Sequence, residues 1–107
     1  MLGIDGLQTP VKAQNSTHVF HQYTLVIANG KRDELKQHLE AAGIPAMVYY
    51  PIPLNEQEAF SSIGAVVGSL NETERLCASV ISLPMHTELT EEQQVFITDT
   101  VKSFFKL

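Results

Sequence analysis

Two prolines, Pro51 and Pro53, follow the tyrosine pair Tyr49 and Tyr50 and restrict the chain more than any other feature of the sequence. A proline fixes its own φ and disfavours helical backbone at the residue before it. The pattern therefore predicts a stiff loop that leaves a strand over residues 46–50 in a single direction. Such a loop can hold two tyrosines against a ligand, or it can be a connector whose tyrosines pack into the core. The residues alone favour the connector.

Length and composition indicate one globular domain. The chain has 107 residues, 44% of them hydrophobic, which suits a domain with its own core. No apolar run approaches the about 20 residues that span a bilayer, and residues 1–6 lack the regions of a signal peptide. We therefore expect a cytoplasmic protein without a membrane segment. The net charge of −5 argues against binding to nucleic acid or to anionic membranes.

Residues 18–28 alternate like a strand, with apolar side chains on both faces, which predicts a central strand. His18 and His21 are three residues apart, so on a strand their side chains point to opposite faces. The spacing would make a metal-binding pair on a helix, but not here, and we predict no metal site. His21 shares a face with Tyr23, which favours a hydrogen-bonded core histidine. The alternative is that His21 faces a substrate pocket.

Two helices are predicted from their start and stop signals. The first covers residues 31–42 and ends at Gly43, which suits the left-handed C′ position, with Ile44 folding back on the helix. The second runs from an N-cap at Asn71 to about Ser79.

A short extended segment over residues 80–83 and a last helix complete the pattern. Thr90 and Gln93 form a capping-box sequence, which predicts the start of that helix. The alternation of strands and helices predicts an α+β fold with two layers, in which helices cover a small sheet. Four residues recur at helical spacing in the last helix and are expected to pack on the sheet: Ile97, Val101, Phe104 and Phe105.

Five sequence elements occur in an order that resembles one known family. They are residues 18–24, residues 32–35 together with Gly43 and Ile44, residues 50–54, residues 82–86, and residues 89–90. In this combination the chain looks like the C-terminal part of the DegT/DnrJ/StrS family of sugar aminotransferases. The resemblance covers nearly the whole chain. It implies the fold of the small C-terminal domain of the aspartate-aminotransferase superfamily, the fold type I pyridoxal phosphate (PLP) enzymes.

The resemblance also implies an activity for a longer protein. Members of the family use PLP to move an amino group, usually from glutamate, onto a keto group of a nucleotide-linked sugar, and they work as homodimers. Residues 1–107 would then be a single C-terminal domain that covers the substrate and supports the dimer. Its partners would be the large PLP-binding domain of the same chain, the second subunit, the nucleotide-linked keto sugar and glutamate.

The cofactor lysine of the family belongs to the large domain, and no counterpart is expected here. A Schiff-base lysine needs a pocket that lowers its pKa, and PLP needs a phosphate cradle and an acidic partner. We therefore expect no catalytic residue and no cofactor bound by this chain alone, and we expect the isolated chain to be inactive. Five lysines lie in charged or polar stretches that predict solvated surface: Lys12, Lys31, Lys36, Lys102 and Lys106.

The aromatic loop departs from the family pattern at two positions. The family often has His-Tyr-Pro in this loop and a further histidine after the Pro-Leu pair, whereas this chain has Tyr49 and Asn55 there. Tyrosine and asparagine can hydrogen-bond a sugar hydroxyl, but neither carries protons near neutral pH as histidine does. We therefore expect substrate-binding roles for Tyr49, Tyr50, Asn55 and His21, with acid–base work left to the cofactor lysine.

Two further points stay open at this level. Many enzymes of the superfamily bind a substrate carboxylate through an arginine of this domain, but Arg32 and Arg75 lie near helix starts in patterns that predict exposure, so neither is assigned that role.

The alternative function is a freestanding small-molecule binding or protein-interaction module that shares the fold without the chemistry. Residues 6–10 are typical of a connection from a preceding helix to a strand, which favours a domain of a longer enzyme.

Overall fold

A three-stranded antiparallel sheet lies at the centre of the domain. The computed structural model describes Met1 and residues 3–106. The sheet has the spatial order β1-β2-β3, with β1 at Leu7–Gln8, β2 at Tyr23–Ile27 and β3 at Val80–Leu83. The stretch around β1, which the sequence suggested was a connection, therefore supplies an edge strand.

Three helices and two short 3-10 turns complete the fold. The helices are α1 (Arg32–Ala41), α2 (Asn71–Ser79) and α3 (Glu91–Phe105), and the turns cover Leu54–Glu56 and Glu58–Phe60. The predicted α+β class is confirmed, with helices covering a small sheet. Within the described part of the chain, no helix is long and apolar enough to cross a bilayer.

The core lies between one face of the sheet and the helices α1 and α3. Leu25 of β2 pairs with Ile81 of β3, so both side chains point to the same face. The apolar residues of α3 behave as predicted: Ile97 and Val101 are buried, while Phe104 and Phe105 are half-buried against the core. The buried cluster consists of Leu25, Ile27, Leu35, Leu39, Ile44, Ala46, Ile81, Leu83, Ile97 and Val101.

Two predicted helix ends are confirmed. Gly43 has φ of 77°, and the amide of Ile44 donates to the carbonyl of Leu39 at 2.9 Å, which is the 6→1 bond of a Schellman ending. At the start of α3, the side chains of Thr90 and Gln93 each accept from the other residue's amide, at 3.2 and 3.0 Å, so the capping box is complete.

The predicted N-cap of α2 is wrong by one position. Leu70 is the N-cap and makes no side-chain capping bond, while Asn71 is the first helical residue. The amide of Asn71 donates to Ser69 Oγ at 3.4 Å, so a serine two residues earlier supplies the acceptor that the asparagine was expected to supply. The predicted extent of the helix, to Ser79, is confirmed.

The predicted strand over residues 18–28 is shorter than expected. Tyr23 pairs with Leu83, the last residue of β3, and the ladder between β2 and β3 ends at this pair. Residues 18–22 therefore have no strand partner in the described structure. Val19 is 93% exposed, and the ring of His18 stacks on Phe20 with centroids 4.3 Å apart.

The predicted strand over residues 46–50 is reduced to one bridge. Met47 and Ser82 exchange both backbone hydrogen bonds, at 3.1 and 2.7 Å. In this antiparallel register Pro45 would face Pro84, and neither has an amide proton. At the other end Tyr49 would face Val80, but the amide of Val80 already donates to the carbonyl of Leu76 in α2.

Arg32 is buried, and the prediction that it is exposed was wrong. It is 8% exposed, and its Nη1 donates to the carbonyls of Cys77 and Val80, both at 3.0 Å, while Nε donates to Asp33. The end of a helix leaves carbonyls without intrahelical partners and carries partial negative charge. Arg32, at the start of α1, supplies a charged hydrogen-bond donor to carbonyls at the end of α2. Arg75 is exposed, as predicted, and pairs with Glu72 at 2.7 Å.

Candidate functional site

The predicted aromatic loop belongs to a long segment that we call the 48–68 arm, residues 48–68 between the Met47 bridge and α2. It contains both 3-10 turns. Within the described residues, every hydrogen bond of the arm joins two of its own residues, such as Phe60 to Gln57 and Ser61 to Glu58. Pro53 is the one buried residue of the arm. The segment therefore follows the Met47 bridge, leads into α2 and, in the described structure, makes hydrogen bonds only within itself.

His21 and Tyr49 line the same shallow cavity, of about 250 Å³. His21 lies just before the first residue of β2, beyond the end of the sheet, and its side chain is exposed. The core interpretation of His21 was therefore wrong, and the alternative, a histidine that faces a cavity, agrees with the geometry. We call this space the His21–Tyr49 cavity; it is lined by His21, Gln22, Pro45, Met47, Tyr49, Ser82, Leu83, Pro84 and Met85.

The other two candidate residues lie outside that lining. Tyr50 is 69% exposed, and its ring meets that of Tyr49 edge to face with centroids 5.6 Å apart. Asn55 is exposed in the first 3-10 turn. The structure thus brings His21 and Tyr49 together and leaves Tyr50 and Asn55 exposed outside the cavity. The tyrosines do not pack into the core, so the connector interpretation is wrong in that respect.

The cavity combines apolar walls with a few polar groups. Met47, Leu83 and Pro84 form apolar surface, while the His21 imidazole, the Gln22 amide and the Tyr49 hydroxyl can donate and accept hydrogen bonds. This is the usual make-up of a small-molecule site, in which apolar surface supplies contact and a few polar groups fix orientation. Such a wall suits a ring with hydroxyl groups.

Sequence reasoning missed Gln22, Met47 and Met85. Gln22 follows His21 directly. It could have been predicted as a lining residue if the strand had been predicted to begin at Tyr23. Met47 and Met85 come to the cavity because Met47 bridges Ser82, three residues before Met85. That pairing is a tertiary contact, which local sequence patterns do not predict.

A second cavity, of about 240 Å³, adjoins the first. The two share Leu83, Pro84 and Met85, so the turn after β3 separates them. His86 lines this second cavity and is exposed. The other residues of its lining are Met1, Tyr23, Leu89, Gln94, Ile97 and Thr98.

A larger concavity, about 710 Å³, lies on the exposed face of α3 and contains none of the candidate residues. It is bounded by Glu91, Glu92 and Asp99 around the exposed side chains of Val95 and Phe96. One helix face makes this surface, so it offers no converging polar groups. We therefore keep the His21–Tyr49 cavity as the candidate site.

The described residues do not fit PLP on their own. All five lysines reach the surface: Lys12, Lys31 and Lys106 are exposed, while Lys36 and Lys102 are half-buried and pair with Glu40 and Asp99. A Schiff-base lysine needs a pocket that shifts its pKa. Among the residues that the structure describes, no group of three or more His, Cys, Asp or Glu side chains is arranged to hold a metal ion.

Comparison with known proteins decides the family. The model of the DegT/DnrJ/EryC1/StrS aminotransferase family matches residues 2–102. The chain belongs to this family. The family is PLP-dependent. Family membership agrees with the resemblance inferred from the five sequence elements. It also agrees with the length of the chain, which is too short to hold the cofactor site.

Relatives of this DegT/DnrJ/EryC1/StrS domain are much longer proteins. It is 44% identical over 102 residues to the pleiotropic regulatory protein of Geobacillus stearothermophilus, covering 95% of this chain and 27% of that protein. It is 32% identical over 104 residues to dTDP-3-amino-3,4,6-trideoxy-alpha-D-glucose transaminase of Streptomyces venezuelae, covering 97% of this chain and 27% of the relative. The chain therefore spans about a quarter of the length of these relatives.

The fold of the domain is also found in a solved aminotransferase. The crystal structure of S. venezuelae DesV in complex with a ketimine intermediate superposes with a TM-score of 0.88 and 31% identity. The match covers 99% of this chain and 28% of DesV. Nearly every residue, including the 48–68 arm, thus has a counterpart in that longer protein.

Proposed function

We propose that residues 1–107 are the C-terminal domain of a PLP-dependent aminotransferase that moves an amino group, from glutamate, to a keto group of a nucleotide-linked sugar. The single observation that carries this proposal is the DesV superposition, with a TM-score of 0.88 over 99% of this chain. The 32% identity to the transaminase of S. venezuelae supports a nucleotide-linked sugar as the substrate class. Aminosugar or polysaccharide biosynthesis is the setting for such a reaction.

In this proposal the complete protein supplies a large domain that holds the cofactor. PLP, when bound there, supplies the electron sink for amino transfer. The surface position of all five lysines supports a cofactor lysine elsewhere. The isolated chain would then be inactive, and the complete enzyme would be a homodimer.

The contribution of this domain is to cover and recognise the substrate. His21 and Tyr49 would hydrogen-bond hydroxyl groups of the sugar, while Met47 and Leu83 would exclude water beside them. Tyr50 and Asn55 would contact the substrate from the arm once the large domain lies against it. These roles concern binding and orientation, which lower the barrier by holding the reacting groups together.

The test is to express the complete reading frame that contains residues 1–107 beside the 107-residue chain. We expect the complete protein to bind PLP, seen by its visible absorbance, and to convert glutamate to 2-oxoglutarate with a nucleotide-linked keto sugar. We expect the 107-residue chain to do neither. A reading frame without a cofactor-binding domain would reject the proposal.

A second candidate is an interaction module without transaminase chemistry. The observation that favours it is the name of the 44% identical relative, a pleiotropic regulatory protein. It predicts that a complete protein of full family length binds no PLP and turns over no keto sugar. The same absorbance and 2-oxoglutarate measurements separate the two candidates.

A further inference from the structure

The 48–68 arm carries an unusual share of the exposed apolar surface. Eight of the fifteen exposed large hydrophobic side chains of the described structure lie in these 21 residues. Soluble domains rarely leave contiguous apolar surface uncovered unless it contacts something. The eight are Tyr49, Tyr50, Ile52, Leu54, Phe60, Ile63, Val66 and Val67.

The arm has little to hold it on its own domain. In the described structure its hydrogen bonds are internal, its two 3-10 turns pack chiefly on each other, and Pro53 is its one buried residue. Val48 and Gln57 are half-buried. Segments with few buried contacts open at low free-energy cost. The conformation of the arm therefore needs support from outside these 107 residues.

The superposition on DesV indicates where that support comes from. Because the match covers 99% of this chain, the arm has a counterpart in a protein in which this domain is 28% of the length. The remaining part of such a protein is large enough to cover the arm.

The arm and the start of the domain both lie near residues 83–85, at the end of β3. Met1 lines the second cavity with Leu83, Pro84 and Met85, and these three residues also line the His21–Tyr49 cavity from which the arm leaves. A domain that precedes Met1 would thus join beside the root of the arm.

Charge disfavours a second copy of the arm as the occupant. Glu56 and Glu58 are its charged residues, and it has no lysine or arginine. Two arms that face each other would bring like charges together. The chemistry of the arm instead fits an apolar surface with a basic rim.

We infer that the 48–68 arm is a docking element that buries its apolar side chains against the large domain of the same polypeptide. The inference rests on the proposed function, because it needs that large domain. Docking orders the arm and thereby positions Tyr49 at the His21–Tyr49 cavity. The substrate side of this domain is then complete only in the assembled protein.

Amide hydrogen exchange followed by mass spectrometry tests the docking. In the complete protein the arm amides exchange at least about tenfold more slowly than in the 107-residue chain, since docking removes local opening. Residues 23–27 serve as the internal reference, because their core side chains are buried in both proteins.

A matched pair of variants tests the contact itself. Val67→Glu places a charge on a valine that is 92% exposed in the domain, and Val11→Glu does the same at one that is 84% exposed, outside the arm and every cavity described above. Val67→Glu returns arm exchange in the complete protein to the rate of the 107-residue chain and raises the KM for the nucleotide sugar. Val11→Glu leaves both unchanged.

Three results would overturn the inference in different ways. If the arm amides exchange equally fast in the complete protein and in the 107-residue chain, the arm does not dock. Transamination measured in the same complete protein would still support the proposed function. Protection that disappears when the dimer is diluted to monomers assigns the arm to the partner subunit instead. A complete reading frame without a large domain removes the proposed function and this inference together.

Discussion

Arg32 Nη1 donates to the carbonyl oxygen of Val80 at 3.0 Å, and this bond joins the start of α1 to the first residue of β3. The same nitrogen donates to Cys77 near the end of α2. One side chain thus ties two helices to the sheet.

Replacing Arg32 tests this role. We expect Arg32→Met to lower the free energy of unfolding by about 2–4 kcal/mol, because two carbonyls lose a charged donor in a buried place. Arg75→Met is the control, since Arg75 is exposed and pairs with Glu72 on its own helix, and it should cost less than about 1 kcal/mol. Urea unfolding of the 107-residue chain followed by circular dichroism measures both. Equal losses would mean that the Arg32 bonds contribute little.

The ending of α1 gives a second prediction. Gly43 has φ of 77° and nothing within 4 Å of the position that a Cβ would take, so a substitution there is strained by its backbone and not by crowding. Gly43→Ala should lower the free energy of unfolding by about 1 kcal/mol. Gly43→Asn should cost less, because asparagine tolerates the left-handed region. Thermal unfolding of the two variants side by side checks the order, and a reversed order contradicts the strain argument.

The two helix starts that resemble each other in sequence should respond differently to alanine. Thr90→Ala removes a side-chain acceptor that the Gln93 amide uses at 3.2 Å, so we expect a loss of about 1 kcal/mol. Asn71→Ala removes no capping bond, because Leu70 is the N-cap of α2, and should be neutral within about 0.5 kcal/mol. Chemical denaturation of both variants compares them. A loss at Asn71 as large as that at Thr90 would refute the cap assignment.

Local patterns predicted the parts of the fold that depend on neighbouring residues. The Schellman ending at Gly43, the Thr90 capping box and the extent of α2 each rest on side chains within a few positions, and each was read correctly. The family resemblance rested on the order of five such local elements. Errors in the predicted boundaries of individual strands therefore did not affect the family assignment.

The misreadings have a common physical origin in contacts between distant segments. The pairing of β2 ends at Tyr23, opposite Leu83, the last residue of β3, which leaves His21 outside the sheet. The partner of Arg32 lies 48 positions away in sequence at Val80. Local periodicity carries no information on which carbonyl a distant helix end leaves unpaired. The His21–Tyr49 cavity follows from these contacts, so the sequence supplied its candidate residues but not their arrangement.

The cavity yields the last prediction, in the complete protein. Tyr49→Phe removes one hydroxyl from the His21–Tyr49 cavity and keeps the ring, so under the proposed function one hydrogen bond to the sugar would be lost without a change of shape. We expect the KM for the nucleotide sugar to rise about threefold to tenfold, in line with a neutral hydrogen bond of about 0.5–1.5 kcal/mol. The KM for glutamate and the PLP absorbance should not change. Tyr23→Phe is the control, because Tyr23 lines the neighbouring cavity and not this one. If steady-state kinetics give Tyr49→Phe the KM of the unchanged enzyme, the tyrosine hydroxyl does not contact the sugar, and the cavity shapes the site through its apolar walls alone.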